Sequence, residues 1–360
     1  LICLKIILNN GKNNSFRGGY PDMIEKSNKL MNVRVFAILS VIIYHSIILY
    51  SDSWDLYLSS NHSIFLAGIC KLLNFYMMPL FFSLSGFLFF YSYKKRKLSA
   101  LMSNKFLRLL IPFVFVGTCY MIPIRILLKY PGYNNKSIGI IIKELFTISN
   151  AGHLWYLPAL FVIFILTKII LSACDYNGIL SKNKDIILLL FGIILYFEGY
   201  RICFKIPSLL SCCAYLQFFS LGFLLNQREE IIEKYLNSTF PKSLITIVAL
   251  LLMIFCSFAP NSSVMINLFS KMIFILTVYL VMPSKTVRMI QIIDRDSFGM
   301  YLFHSPLTYI TYTFLVDAIP SIVVGINLLL FGCFSILLTE IIRRTRLNFI
   351  IGECSIKKEA

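Results

Sequence analysis

The chain has 360 residues, of which 58% are hydrophobic and 14% are charged, and its formal net charge is +17. Soluble domains have about 45–50% apolar and about 25% charged residues, so both fractions exclude an ordinary soluble protein and indicate an integral membrane protein. The positive charge does not indicate nucleic-acid binding, because membrane proteins collect Lys and Arg in cytoplasmic loops.

Ten apolar segments have the length of a membrane-spanning helix once tilt is allowed. They cover residues 33–51, 71–92, 107–127, 154–173, 185–200, 208–225, 243–259, 264–283, 298–316 and 321–341. We therefore predict an all-α polytopic transmembrane helix bundle of about ten spans. Residues 1–31 form its cytoplasmic lead, 32–341 the membrane domain and 342–360 a basic tail.

Residues 9–22, before Met23, are mostly polar and include Arg17-Gly18-Gly19. Codons for Arg-Gly-Gly can form a purine-rich ribosome-binding sequence. We therefore expect translation to begin at Met23 and residues 1–22 not to be translated.

The orientation follows from the basic residues. With the N-terminus inside, 26 of the 34 Lys and Arg residues lie in segments predicted to be cytoplasmic, and eight lie outside. Since Lys and Arg favour cytoplasmic loops, both termini are predicted to be cytoplasmic, in agreement with an even number of spans.

The first span has an arginine and a histidine, Arg34 and His45, separated by mostly apolar residues. On a helix, eleven residues make about three turns, so both side chains lie on one face with about 16 Å of rise between them. That is about half of the ~30 Å hydrocarbon thickness. Ionisable groups at such depth usually face a bundle interior, which indicates a functional site. The alternatives are an interfacial anchor for Arg34 and a packing role for His45.

Several cytoplasmic features are candidates for a donor site. The basic loop 94–108 contains Lys105 and Arg108, which either hold phosphates or serve only topology and anionic lipid. In the second span, Pro79 and Gly86 are expected to loosen the helix, so that Ser83 or Ser85 can hydrogen-bond a freed carbonyl or a neighbouring helix. The alternative for this segment is a packing kink.

Other polar residues lie at the outer ends of spans. His153 and Trp155 open the fourth span, where they either line an outer cavity or belong to an interfacial aromatic belt. Glu198 and Arg201 have the i, i+3 spacing of a helical ion pair, with or without a further role.

The ninth span is predicted to begin at 298 from the inside, with Asp296 or Ser297 as its N-cap. His304 is then expected in the inner third of the bilayer.

The ten cysteines form no Cys-x-x-Cys pair and have no suitably spaced His, so most are predicted to be small buried residues and no metal site is predicted.

Five motifs in order resemble the acyltransferase-3 family of integral membrane acyltransferases. They are Arg34-x10-His45, Pro-Leu-Phe-Phe-Ser-Leu-Ser-Gly-Phe at 79–87, Arg-Leu-Leu-Ile-Pro at 108–112, His-Leu-Trp-Tyr-Leu at 153–157 and Ser-Phe-Gly-Met-Tyr-Leu-Phe-His at 297–304. The chain departs from the family's pattern at Met31, where an acidic residue is common.

The resemblance implies transfer of an acyl group, usually acetyl, from cytoplasmic acyl-CoA to a hydroxyl of a cell-surface polysaccharide or its lipid-linked precursor, in a bacterial inner membrane. Acetyl-CoA would be a donor substrate, with no permanently bound cofactor. His45 would act as a general base or form an acyl-histidine, and Arg34 would hold the donor together with Lys105, Arg108 and Ser85.

The acceptor side would contain His153, Trp155, Glu198 and Arg201, and His304 would orient another group from the inside. The expected partners are therefore the lipid bilayer, acyl-CoA and a glycan or lipid-linked sugar, and no nucleic acid. The alternative functions are a transporter or flippase for lipid-linked sugars, which needs no acyl donor, and a membrane sensor or structural protein.

Overall fold

The computed structural model describes residues 20–51, 61–93, 97–176, 178–202, 206–236, 238–259 and 261–353. Within these ranges the chain is helical, without strands. The expected start at Met23 concerns a segment that lies mostly outside them. The helices are α1 (Tyr20–Ile47), α2 (Ile64–Phe89), α3 (Leu98–Leu127), α4 (Ile138–Phe146), α5 (Tyr156–Asp175), α6 (Gly178–Lys182), α7 (Lys184–Ile202), α8 (Pro207–Gln227), α9 (Glu229–Leu236), α10 (Thr239–Phe258), α11 (Val264–Val281), α12 (Arg288–Phe314) and α13 (Pro320–Arg343).

The predicted all-α polytopic bundle is confirmed, and a helix lies at each of the ten predicted spans. In the described part of the chain, eight helices are long and apolar enough to cross a membrane: α1, α2, α3, α5, α8, α10, α11 and α13. Helix α7 has charged residues at both ends, and α12 is rich in Ser, Thr and Tyr. Most of the α12 side chains are buried, so they face protein and not lipid and need not be aliphatic.

Helix α12 begins ten residues earlier than predicted, at Arg288. The predicted N-cap at Asp296 or Ser297 is therefore wrong. Asp296 is a fully buried residue inside the helix, where it forms ion pairs with Arg295 and Arg343. These ion pairs compensate its charge and join α12 to the end of α13.

Helix α3 contains two π-helical segments, Phe106–Leu110 and Gly117–Met121, and a proline follows each of them. A proline inside a helix lacks an N–H group and clashes with the carbonyl four residues earlier, and the wider π turn relieves this conflict. Each π turn also rotates the following side chains around the helix axis. As a result Arg125, near the outer end of α3, is buried inside the bundle.

Helices α2 and α8 cross at two glycines. A Cβ atom at Gly86 would collide with the Phe219 carbonyl, and one at Gly222 would collide with the Ser83 carbonyl. Small residues of this kind let two membrane helices approach closely. Gly86 therefore permits packing and does not loosen α2, which stays helical through Pro79.

Contacts at the two ends of the bundle show which helix ends and loops lie together. At the end predicted to be cytoplasmic, Lys26 of α1 pairs with Glu229, and the Asn32 amide donates to the Pro283 carbonyl at 2.7 Å. At the opposite end, Ser63 donates to the Tyr50 carbonyl, and Asn61 donates to Asp317 beyond α12. The starts of α1 and α9 thus share one end of the bundle.

Reporter fusions test this topology. We expect a cytoplasmic signal from fusions at Lys97 and after Arg346, and an outer signal at Lys136, because the basic residues cluster on the first side. Alkaline phosphatase and fluorescent protein fusions at each position give opposite signals and serve as controls for each other. An outer signal after Arg346 would contradict an even number of spans.

Candidate active site

Three histidines converge in the middle of the bundle. His45 lies on α1, His153 on the 3-10 turn before α5, and His304 on α12. The ring centroids are 5.0 Å apart for His45 and His304, 5.6 Å for His153 and His304, and 6.4 Å for His45 and His153. These three side chains, from distant parts of the sequence, form the candidate active site.

The expectation that His304 lies in the inner third is wrong, because its ring contacts His45, which lies in the last turn of α1. The error follows from the helix start. Since α12 begins at Arg288, His304 lies about 24 Å along the helix axis, at about 1.5 Å per residue.

The hydrogen bonds of His304 determine the proton positions on two imidazoles. Its Nδ1 lies 2.7 Å from the Met300 carbonyl and 3.0 Å from the Tyr301 carbonyl, so Nδ1–H is the donor. In a neutral ring Nε2 is then an acceptor, and it lies 3.0 Å from His45 Nδ1. His45 therefore donates from Nδ1–H, and its Nε2 keeps a free lone pair. A general base or a nucleophile needs this lone pair.

His153 is oriented in a different way. Its Nε2–H donates to the Leu302 carbonyl at 3.1 Å, and its own carbonyl accepts from the Tyr301 hydroxyl. Nδ1 of His153 is buried without a hydrogen-bond partner in the described part of the chain. The site thus contains a second imidazole lone pair that the protein itself leaves unused.

A cavity of about 200 Å³ lies in the outer half of the bundle, beside His45 and His153. Its lining combines tyrosines, hydroxyls, one amide and one cation, which suits a polyhydroxylated ligand better than an apolar one. The lining residues are His45, Ile48, Arg125, Tyr130, Asn150, Gly152, His153, Trp155, Ser305, Thr308, Tyr309 and Tyr312. Of the residues proposed for the acceptor side, His153 and Trp155 line this cavity.

Arg125 was not identified as a site residue from the sequence, where it counted only as an outer basic residue. Its side chain is 1% exposed, and its guanidinium donates to the Tyr309 hydroxyl at 2.7 Å and to the Asn150 carbonyl at 3.2 Å. The missed signal is an arginine in the apolar run Met-Ile-Pro-Ile-Arg-Ile-Leu, since an ionisable group inside a span usually faces a polar interior.

Outside the spans, Lys136 and Asn150 hydrogen-bond the Glu144 carboxylate, and the Lys136 ammonium is the main cause that lowers the pKa of Glu144. The Asn150 amide nitrogen donates to Glu144, so its oxygen is directed to Arg125 at 3.3 Å. This chain of polar contacts holds the outer wall of the cavity.

Arg34 lies at the inner level of the same face of α1, as predicted. Its guanidinium forms a 2.6 Å ion pair with Asp294 of α12, whose side chain is 2% exposed. Asp294 was missed in the sequence. It provides a carboxylate beside Arg34, although position 31, where the family pattern often has one, is a buried methionine.

The remaining donor-site candidates lie around the inner half. The Ser85 hydroxyl is 3.0 Å from the Tyr156 hydroxyl. The Lys105 ammonium lies 3.5 Å from the centre of the Phe164 ring, and Arg108 is half-buried on the first π segment of α3. None of these contacts tests donor binding, which stays a prediction.

Glu198 and Arg201 form the expected i, i+3 ion pair at 3.2 Å, with exposed side chains. Neither residue lines the cavity. A role in acceptor binding therefore stays a prediction without support from the geometry of the cavity.

A second, smaller cavity of about 40 Å³ lies at the inner end of the bundle and was not predicted. Lys26 and Lys29 of α1 line it together with Glu229, Glu233 and Tyr279. The cavity beside His45 lies toward the opposite end of the bundle.

A protein-family model described as an acyltransferase domain, that of acyltransferase-3, matches residues 28–342. The chain belongs to this family. No match was found among curated proteins or among solved structures. The match includes Arg34, all three histidines and Asp294. The protein is therefore an integral membrane acyltransferase, and the three-histidine site is its candidate active site.

His304 is expected to act as a positioning residue for this acyltransferase. Replacing it with Leu removes the acceptor that holds His45 Nδ1–H, and loss of the correct tautomer typically lowers the rate by about 10²–10⁴-fold. Gln provides an oxygen acceptor in its place, so we expect His304→Gln to keep more activity than His304→Leu. The measurement is the acyl-transfer rate at matched membrane abundance. Equal rates for the two variants would contradict the positioning role.

Proposed function

We propose that this acyltransferase transfers an acetyl group from cytoplasmic acetyl-CoA to a hydroxyl of a cell-surface polysaccharide or of its lipid-linked precursor. The observation on which the proposal depends is the free Nε2 of His45 beside the polar outer cavity. Arg34 lies nearer the inner end of α1 than His45 does, which supports a donor that enters from the cytoplasmic side, opposite the outer cavity.

The donor's nucleotide end is anionic, and the inner end of the bundle is basic. Lys26 and Lys29 line the inner cavity together with Glu229 and Glu233, and Arg34 lies deeper on α1, where it pairs with Asp294. Arginine offers directed bidentate contacts to phosphate, and lysine offers a compact charge. A donor held there would direct its acylated arm along α1 toward His45, about 16 Å further along the helix.

The acceptor would occupy the outer cavity, where hydroxyl and amide groups match the hydrogen-bonding capacity of a sugar. His45 Nε2 would take the proton of the acceptor hydroxyl, and the hydroxyl oxygen would attack the thioester carbonyl. The C–S bond then breaks, and the CoA thiolate leaves and receives a proton. In the alternative path, Nε2 attacks the thioester, CoA leaves as the thiolate and takes up a proton, and the acceptor hydroxyl then takes the acetyl group from the acyl-histidine and frees the imidazole. Both paths require the same lone pair.

The acyl donor is made in the cytoplasm and the acceptor is exported, so we place the protein in a bacterial inner membrane. Acetyl is proposed over succinyl because it is the usual group in similar proteins. Family membership favours acyl transfer over the alternative of a transporter or flippase, which would have no use for an acyl donor.

Mass spectrometry of surface glycans tests the proposal. Cells with the wild-type gene should show glycans heavier by one acetyl group, and cells without the gene should lack that species. A strain with His45→Gln at matched abundance separates catalysis from mere presence of the protein. Identical glycans in all three strains would contradict acetyl transfer to a surface glycan.

A further inference from the structure

Arg125 is a buried cation whose described partners are all neutral. Its guanidinium hydrogen-bonds the hydroxyls of Tyr133 and Tyr309 and the backbone and side-chain oxygens of Asn150, at 2.7–3.3 Å. It forms no ion pair with a described carboxylate. A buried charge is costly without a compensating charge, and hydroxyls and amides compensate only part of that cost.

Three aromatic rings surround the same group. The guanidinium carbon lies 4.5 Å from the Tyr130 ring centroid, 5.0 Å from Tyr309 and 5.6 Å from Tyr133. Cation–π contacts stabilise the cation and leave its net charge in place. The full positive charge of Arg125 therefore remains available to the cavity that it lines.

The guanidinium also has unused hydrogen-bonding capacity. Nε of Arg125 is buried without a hydrogen-bond partner in the described residues, and Arg125 lines the cavity with His45 and His153. A guanidinium offers paired N–H groups that match the two oxygens of a carboxylate or phosphate.

The backbone nearby is shaped around this side chain. Gly152 has φ +53°, and a Cβ atom there would collide with Arg125 Nη2. The left-handed φ suits glycine, and the missing side chain leaves the space that the guanidinium fills. The position of Arg125 is thus fixed by the turn that also holds His153.

We propose that Arg125 binds an anionic group of the acceptor, a carboxylate or a phosphate, and so selects acidic acceptors. The proposal depends on the proposed function only in naming the cavity as the acceptor site. The carboxylate would belong to an acidic sugar, and the phosphate to a sugar phosphate or a lipid-phosphate carrier. The same contact would hold the acceptor so that a neighbouring hydroxyl faces His45 Nε2.

Direct binding to the purified full-length protein tests the proposal, with three small probes. Methyl β-glucuronide has a carboxylate, glucose 1-phosphate has a phosphate, and methyl β-glucoside is the neutral reference. We expect at least one anionic probe to bind about tenfold to a hundredfold more tightly than the glucoside, because hydrogen bonds to charged groups are the stronger class. The probe that shows the preference identifies the source of the anion.

In Arg125→Gln the preference should disappear, and in Arg125→Lys it should be reduced, because Lys keeps the charge and loses the planar fork. Lys143→Gln, an exposed change of the same charge on α4, is the matched control and should keep the preference. No preference in the wild-type protein, or a preference that persists in Arg125→Gln, would overturn the proposal.

If Arg125→Gln does not fold, the binding test uses Arg125→Lys alone. An unchanged preference for the anionic probe in Arg125→Lys would also overturn the proposal. Transfer assays keep the two proposals apart. Acetyl transfer without a charge preference would reject the role of Arg125 alone. A charge preference in binding without any acetyl transfer would reject only the proposed function.

Discussion

Replacing His45 with Gln or Ala is expected to abolish acyl transfer while the protein still inserts at a normal level. Its Nε2 has the lone pair that both proposed paths require, and neither Gln nor Ala can accept and pass on a proton near neutral pH. Loss of a catalytic base typically lowers the rate by about 10²–10⁴-fold, or roughly 3–5 kcal/mol of barrier stabilisation. The measurement is glycan acylation at matched membrane abundance.

Of the two variants, His45→Gln tests the catalytic role more specifically than His45→Ala. Gln at position 45 can still donate a hydrogen bond to His304 Nε2, so it preserves the packing and removes only the chemistry. His62→Gln is a matched control, because His62 is exposed and does not line the cavity. Near-normal acylation by His45→Gln would reject the catalytic assignment, and His153, with its unpartnered Nδ1, would become the next candidate.

The ion pair between Arg34 and Asp294 is expected to be the second sensitive feature. Breaking a buried pair by removing one partner typically costs about 3–5 kcal/mol, because an uncompensated charge stays buried. We therefore expect Arg34→Met and Asp294→Leu each to lower thermal stability strongly. The double variant should recover most of that loss, since it leaves neither charge. The measurement is the unfolding midpoint of each purified variant in one detergent.

The activity and donor affinity of these variants distinguish a purely structural role of the ion pair from a role of Arg34 in donor binding. If Arg34 also holds the donor, the double variant should be stable and inactive, with reduced affinity for acetyl-CoA. Arg34→Lys should keep the charge and lose affinity, because its ammonium lacks the planar fork. Wild-type donor affinity in the stable double variant would show that Arg34 serves only the packing of α1 against α12.

The sequence by itself determined the all-α membrane fold and the presence of a helix at each predicted span. Apolar length is a local property, and a helix in lipid satisfies its backbone hydrogen bonds within its own segment. For the same reason the common face of Arg34 and His45 followed from spacing alone. The five motifs were sufficient to indicate the family that the domain match confirms.

Hydropathy did not determine the depth of polar side chains on α12. Most side chains of α12 are buried in protein and need not be apolar, so hydropathy does not show where the helix begins. The predicted N-cap and the predicted depth of His304 were therefore both wrong. Likewise, each π turn of α3 rotates the side chains that follow it around the helix axis. Regular helical spacing therefore did not show that Arg125 faces the inside of the bundle.

Only the tertiary structure decided which polar groups meet. Asp294 pairs with Arg34, and His304 with His45, across about 260 residues of sequence, and Arg125 meets Tyr309 across 184. Helical periodicity indicates which face of a helix is polar, but not which helix lies opposite. Side-chain packing and the close approach at small residues determine that choice among membrane helices, because lipid and aliphatic side chains are equally apolar and hydrophobicity does not distinguish one neighbour from another.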